Sequence, residues 1–342
     1  MQAKIHRVSD FVWIFACNCE GTEQLRDKDK GGEVLELVTF FPERLRKDWL
    51  NAGLDSSAVR EIRIRVGKRV RVIAEREIGL PFVYGEGELE DIFRYLCHDS
   101  VYAYDEERKQ GYLAVEGGHR IGITGELVAA DGGYIAKYIR YINIRIAHEK
   151  KGIAQNAARY LIGTRDRGQP LNTLIISPPG IGKTTLLRDM IRIVSDGECG
   201  FCGCSVGVID ERGELAGAYR GSAMLDCGER TDVVTGGDKG HGISVLVRTF
   251  SPRVIAIDEI GKQSDAEAII HAGVSGCAVL ATAHGSSLED VTRNKELAEI
   301  IRLKLFDRLL ILSADERNFR YFEIFDREGG RICGKSLLRE PV

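Results

Sequence analysis

The 342-residue chain carries 44% hydrophobic and 29% charged side chains, which leaves room for two ordinary domains and fits a globular protein. A formal net charge of −3 and 7% aromatic residues argue against a nucleic-acid binder, and no apolar run reaches the roughly 20 residues of a membrane-spanning helix. Nine cysteines without regular spacing fit thiols in a reducing compartment rather than a disulfide framework.

In chain order, Phe11 to Cys17 follows Lys4 and Arg7 as the apolar core of a signal peptide would, but it is only seven residues long and no small-x-small cleavage site follows. Residues 1–34 are therefore expected to be a disordered, dispensable extension that ends in the polar stretch Glu20 to Gly32.

Residues 35–162 read as a small α/β domain. Ile62, Ile64 and Val66 alternate with charged residues, Gly67-Lys68 signals a turn, and Val70 and Val72 resume the alternation, which is a hairpin pattern. The basic run Arg60, Arg63, Arg65, Lys68, Arg69, Arg71 is diluted by Glu61, Glu75 and Glu77, so a solvated strand face is the economical reading. Leu89, Ile92, Phe93 and Leu96 recur at helical spacing. Further strands are expected at Tyr112 to Val115, His119 to Thr124 and Tyr141 to Ile146, with His119 a strand or turn residue rather than a base. A helix is expected over Ile153 to Ile162, and Gly163 to Pro170 has the polar Gly/Pro composition of a linker, taken as residues 163–171.

From residue 172 to 342, apolar runs at Thr173 to Ile176, Ser205 to Ile209, Arg253 to Ile257, Ala278 to Ala283 and Arg308 to Leu312 alternate with helical patterns. This order predicts a mostly parallel sheet with helices on both faces. Cys199, Cys202 and Cys204 cluster in a Gly-rich connection, a weak zinc pattern that lacks an evident fourth ligand.

The chemistry is concentrated here. Ser177-Pro178-Pro179-Gly180-Ile181-Gly182-Lys183-Thr184-Thr185 follows a buried-strand pattern and opens a helix, the context a phosphate-binding P-loop requires. Glycines let backbone N–H groups turn toward the β-phosphate, Lys183 would reach the β- and γ-phosphates, and Thr184 would ligate Mg²⁺. Ser177 stands where the motif usually begins with glycine. A carboxylate from a neighbouring strand is also needed, and Asp258-Glu259 ends the apolar run Val254 to Ile257. Ser264 with Glu267 would cap the following helix, leaving Asp258 and Glu259 for function. Asp210-Glu211-Arg212 and His284-Gly285 end two further strands in polar groups. Charge on a transferring phosphoryl group calls for one more cation, and Arg212, Arg230 and Arg248 are candidates to supply it across a subunit interface.

In this order, SPPGIGKTTLLRD, VGVIDERGELAG, ERTDVV, SPRVIAIDEIG and ATAHG resemble the secretion ATPases of type II and type IV machines. Together with EIRIRVGK and EGGHRIGITG in the first half, they are similar more narrowly to the stage III sporulation AA family of endospore-forming bacteria, over about Glu36 to Leu312. The resemblance implies a RecA-like P-loop domain preceded by a smaller α/β domain. It makes Asp210, Glu211 and Glu214 the counterpart of the aspartate box, Glu259 the Walker B acid and His284 the histidine box. Asp258 stands where the superfamily usually has glycine, so the division of labour among Asp258, Glu259 and Glu211 is open. The resemblance also implies ATP and Mg²⁺ as cofactors and a homohexamer at the cytosolic face of a membrane channel complex. A nucleotide-gated scaffold with little turnover is the competing reading, which the intact Lys183, Thr184 and Glu259 disfavour.

Overall fold

Two sheets organise the chain. The computed structural model describes residues 37–100, 104–109, 111–130, 132–163, 168–293, 295–317 and 319–338; the expected extension lies outside them. The first sheet uses β1 (Glu61–Arg65), β2 (Arg69–Ile73), β3 (Glu77–Val83), β4 (Tyr112–Val115), β5 (His119–Ala130) and β6 (Gly133–Arg145) in the order β3-β2-β1-β6-β5-β4. Every pair is antiparallel, and β1 and β2 form the hairpin expected from the alternation. Ile62, Ile64, Val70, Val72, Ile142 and Ile144 are buried on one face, with α1 (Glu43–Asn51) and α2 (Glu86–Leu96) among the elements of this half. All four of α2's periodic apolar residues are buried. The other face shows Arg63, Arg65, Arg69 and Arg71 to solvent, so the diluted basic run is a half-open strand face. The short α3 (Asp105–Lys109) precedes β4.

The helix expected over Ile153 to Ile162 shrinks to the four-residue α4 (Gln155–Ala158). Its surroundings explain why. The Gly152 and Ala154 N–H groups donate to the buried Asp189 carboxylate at 3.0 and 2.8 Å, which fixes the entry. At the exit, Ile162 bridges Pro170 and Leu171 N–H donates to Leu161 O, drawing the chain into a closed loop.

The second sheet comprises β7 (Thr173–Ser177), β8 (Val206–Asp210), β9 (Thr231–Thr235), β10 (Val254–Ile257), β11 (Ala278–His284), β12 (Arg308–Ala314), β13 (Arg320–Asp326) and β14 (Arg331–Leu337). Its order is β14-β13-β12-β7-β11-β10-β8-β9. The run from β12 to β9 is parallel, and β13 and β14 close the other edge antiparallel. Helices α5 (Lys183–Asp196), α6 (Lys239–Thr249), α7 (Gln263–Val274), α8 (Leu288–Arg293) and α9 (Lys295–Arg302) connect the strands. Every residue of β7, β8 and β10 is buried, as a parallel sheet covered on both faces requires. One core packs Leu186, Leu187, Met190 and Ile191 of α5 with Val206, Val208 and Ala256; the other packs Ile243, Leu246 and Ile269 with Leu174, Ile176 and Ile255.

The described residues belong to one compact unit. Arg120 pairs with Glu214, Lys151 Nζ lies 2.6 Å from Asp226, and the Tyr104 and Tyr219 hydroxyls meet at 3.2 Å. Gly118 and Gly217 permit a close backbone approach, since a Cβ on Gly118 would fall 3.0 Å from the Gly217 Cα. Among the described residues no helix is long and apolar enough to cross a membrane, and no group of three or more Cys, His, Asp or Glu could hold a metal ion, the Cys199 region included.

Candidate functional site

Four consecutive strands, β7, β11, β10 and β8, end at one edge of the second sheet and deliver the four polar segments together. Ser177 pairs in register with His284, Ile257 with Ala281, and Ile257 with Ile209. The P-loop's need for a carboxylate pointed to a neighbouring strand, but β11 lies between β7 and the acid-bearing β10. The functional carboxylates therefore reach the P-loop across the tip of β11.

The loop after β7 turns through Gly180 (φ +78°) and Gly182 (φ +112°), backbone angles that favour glycine, and α5 starts at Lys183. Ser177 is the buried last residue of β7 and does not have a positive φ, so the motif's missing first glycine is not demanded here. Around the loop lies a cavity of about 730 Å³ lined by Pro178, Pro179, Gly180, Gly182, Lys183, Thr184 and Thr185 on one side. Asp210, Glu211, Arg212, Glu214, Asp258, Glu259 and His284 line the other. Ser177 and Ile181 do not line it; Ile181 packs against the hydrophobic core.

Lys183 is buried, and burial pulls its ammonium below the usual lysine range while the Asp258 and Glu259 charges oppose that shift. Its Nζ sits 3.4 Å from Nδ1 of His284, whose Nε2 is 3.5 Å from Glu259 Oε1. Thr184 Oγ1 lies 3.3 Å from Asp258 Oδ2. Arg212 Nη1 lies 3.4 Å from Glu259 Oε2 within the same chain. Asp210 is buried; desolvation raises its pKa against the Ala216 N–H that donates to Oδ2 at 2.7 Å. Its role is to anchor the loop after β8, since the carboxylate is spent on backbone.

The other two candidate arginines lie outside the cavity lining. Arg230 Nη1 donates to Ser195 O at 2.8 Å, and Arg248 is exposed on the last turn of α6. The expected Ser264–Glu267 cap is not the one used. The helix begins at Gln263, so Asp265 occupies the third position and accepts from Gly261 N–H and Lys262 N–H at 2.8 and 2.9 Å. Asp258 and Glu259 remain outside this cap.

Sequence reasoning missed Arg145, Lys239, Lys262 and Asp265 in the lining. Arg145 ends β6 of the first sheet, and nothing in its local pattern connects it to the P-loop. Lys239 opens α6, is buried, and donates from Nζ to Glu259 O at 2.8 Å while lying 3.3 Å from Glu211 Oε2 and 3.4 Å from Asp265 Oδ1. A lysine directly after the Asp238 N-cap was its one visible signal.

Thr184 and Asp258 form a hard-oxygen donor set of the kind Mg²⁺ takes, and Lys183 with the loop N–H groups fits a polyphosphate.

The fold is that of RecA-like secretion ATPases. The Legionella pneumophila ATPase DotB covers 84% of this chain and 81% of its own at 15% identity and TM-score 0.52. The pilus retraction motor PilT, solved with bound ADP, covers 90% of this chain and 84% of its own at 14% identity and TM-score 0.53. Stage III sporulation protein AA of Bacillus subtilis (strain 168) is 37% identical over 307 residues, 86% of this chain and 95% of that protein. A family model described as "Sporulation stage III, protein AA" matches residues 29–332, reaching past the 36–312 marked by motifs at both ends. The chain belongs to the stage III sporulation protein AA family.

Proposed function

We propose that the chain is an ATP-hydrolysing, ring-forming ATPase that energises or assembles a membrane-spanning, secretion-like channel during endospore formation. The carrying observation is the convergence of Lys183, Thr184, Asp258, Glu259 and His284 on one cavity. Residues 172–342 would form the ATPase domain and 35–162, joined to it by the linker 163–171, a smaller N-terminal α/β domain that contributes Arg145 to the site.

In this reading the segment from Ser177 through Thr185 holds the phosphates of ATP: Gly180 and Gly182 shape the loop, Pro178 and Pro179 stiffen its start, and Ile181 anchors it to the core. Lys183 neutralises β- and γ-phosphate oxygens. Thr184 and Asp258 hold Mg²⁺, which when bound supplies further charge neutralisation. Glu259 polarises the attacking water and acts as general base. Glu211 is the poorer base, because its partner at 3.3 Å is the buried ammonium of Lys239, whereas the cation 3.4 Å from Glu259 is the exposed Arg212. His284 stands between Lys183 and Glu259, placed to couple the state of the phosphate to the base. Arg212, Arg230 and Arg248 are candidates for the completing cation. The assembly is a homohexamer, cytoplasmic and held at the membrane by partners, without nucleic acid.

Calorimetry with ATP and Mg²⁺ tests the reading. Lys183→Ala is expected to abolish measurable binding in a folded protein, and unchanged affinity would remove the P-loop assignment. Negative-stain imaging with and without a nonhydrolysable ATP analogue tests the ring.

A further inference from the structure

The acid beside the P-loop is held in an unusual backbone conformation. Glu259 has φ +50°, a left-handed geometry that a residue with a Cβ adopts only when its surroundings impose it. Lys239 holds the Glu259 carbonyl oxygen at 2.8 Å, and the Glu259 N–H is held by a residue on the neighbouring strand. Thr282, in β11, is fully buried. Its hydroxyl oxygen accepts from Glu259 N–H at 2.8 Å and donates to Asp258 Oδ1 at 2.9 Å, while its carbonyl accepts from Ile260 N–H at 2.7 Å. Three consecutive residues at the tip of β10 are thus tied to one side chain and its backbone.

We propose that Thr282 is the positioning residue of the acid pair, fixing Glu259 in its left-handed conformation and Asp258 in the orientation that faces Thr184. A hydroxyl suits the task because it donates once and accepts as well, so one atom serves the carboxylate and the peptide at the same time. Valine fills the same shape but can do neither. With the hydroxyl gone, Glu259 N–H loses its acceptor in a partly buried setting, and the bonds that remain, Ile260 N–H to Thr282 O and Lys239 to Glu259 O, leave that N–H unheld. The peptide then relaxes, and the Glu259 carboxylate leaves its place 3.5 Å from His284 Nε2. Asp258 loses its shortest side-chain partner and with it the alignment toward Thr184 Oγ1.

Thr282 does not line the cavity, so it acts through the acids and not on the nucleotide. The kinetic part of this inference rests on the ATPase reading; the backbone part does not. Thr282→Val and Thr282→Ser are compared with the unaltered chain by crystal structure, by steady-state ATP hydrolysis and by thermal unfolding. In Thr282→Val, Glu259 is expected to leave the positive-φ region, and kcat to fall at least about tenfold with KM for ATP within about twofold, as loss of an interaction made in the transition state requires. Thr282→Ser restores both. A Glu259→Gly background provides a separate arm, because glycine holds the left-handed geometry unaided. There Thr282→Val is expected to lower Tm less than it does beside Glu259, and the double variant to fold even if Thr282→Val alone does not. Retention of positive φ at Glu259 in Thr282→Val, an equal Tm loss in both backgrounds, or unchanged kcat in an active enzyme each overturns the assignment. If the unaltered chain hydrolyses no ATP, the ATPase reading fails while the structural and Tm arms still decide the role of Thr282.

Discussion

Lys239 donates to the carbonyl oxygen of Glu259 at 2.8 Å, so the first residue of α6 grips the backbone of the acid that follows β10. The same ammonium lies between Glu211 and Asp265, joining the loop after β8 to the N-terminus of α7. Asp265 is itself committed to the helix cap. Lys239→Met is expected to leave Asp265 as a buried charge without its cation and to destabilise the fold by about 3–5 kcal/mol, the scale of a broken buried pair. Urea denaturation measures this. A loss below about 1 kcal/mol would mean that solvent reaches Asp265 and screens it.

Glu259 and Glu211 are distinguished by what holds them, and their amide variants should differ accordingly. Glu259→Gln is expected to retain ATP binding while hydrolysis slows about a hundredfold or more, the usual scale for removing a general base. Glu211→Gln keeps a polar contact to Lys239 and should slow hydrolysis far less. Measuring both in one assay decides the base, and the opposite ranking would transfer it to Glu211.

His119 carries a pH-dependent term in stability. Burial, aided by the His148 charge, pulls its pKa down from 6.5 to about 4, and its Nδ1 accepts from Ala147 N–H at 3.0 Å. Protonating Nδ1 would break that bond. The folded state therefore binds fewer protons than the unfolded chain between about pH 6.5 and 4, and stability falls as pH drops through this window. A shift of this size corresponds to roughly 3 kcal/mol at full effect. His119→Asn, which can still accept from Ala147, is expected to flatten the dependence of urea-unfolding free energy on pH over that range. An unchanged slope would place the acid sensitivity elsewhere.

The parts of this structure legible in sequence are those where chemistry and periodicity coincide locally. The P-loop, the acids after β10 and His284 each close an apolar run, and α2 and the β1–β2 hairpin show their period plainly. Contacts made across the chain were not legible. Thr282 reads as one more small residue in Ala281-Thr282-Ala283, and only pairing of β10 with β11 turns its hydroxyl into a support for Asp258 and Glu259. Arg145 reaches the cavity from a different sheet. The helix expected at Ile153 to Ile162 ends early because Leu161 and Ile162 pair instead with Leu171 and Pro170, a contact across the chain that the local period does not show.

The arginine that completes the site should come from a neighbouring subunit, and local bonding narrows the choice. Arg212 already faces Glu259 in its own chain, which makes it a cis residue. Arg230 is fastened to Ser195 through both its side chain and its backbone N–H, so its guanidinium is engaged within its own chain. Arg248 stands exposed on the last turn of α6 and is the one best placed to project toward another copy. A mixing experiment separates these roles. A Lys183→Ala protomer has a defective phosphate loop but a normal Arg248, and an Arg248→Ala protomer has an intact loop but no cation to lend. Neither alone is expected to hydrolyse ATP at more than a few per cent of the normal rate, in keeping with the about 10³-fold or larger effect of such arginines. Mixed and reassembled, a fraction of sites combine an intact loop with a donated arginine, and activity should return. Arg212→Ala mixed with Lys183→Ala should not recover, because the missing cation and the intact loop belong to the same chain. Absence of recovery with Arg248→Ala, once mixed assembly is verified by differential tagging, would remove Arg248 as the shared cation.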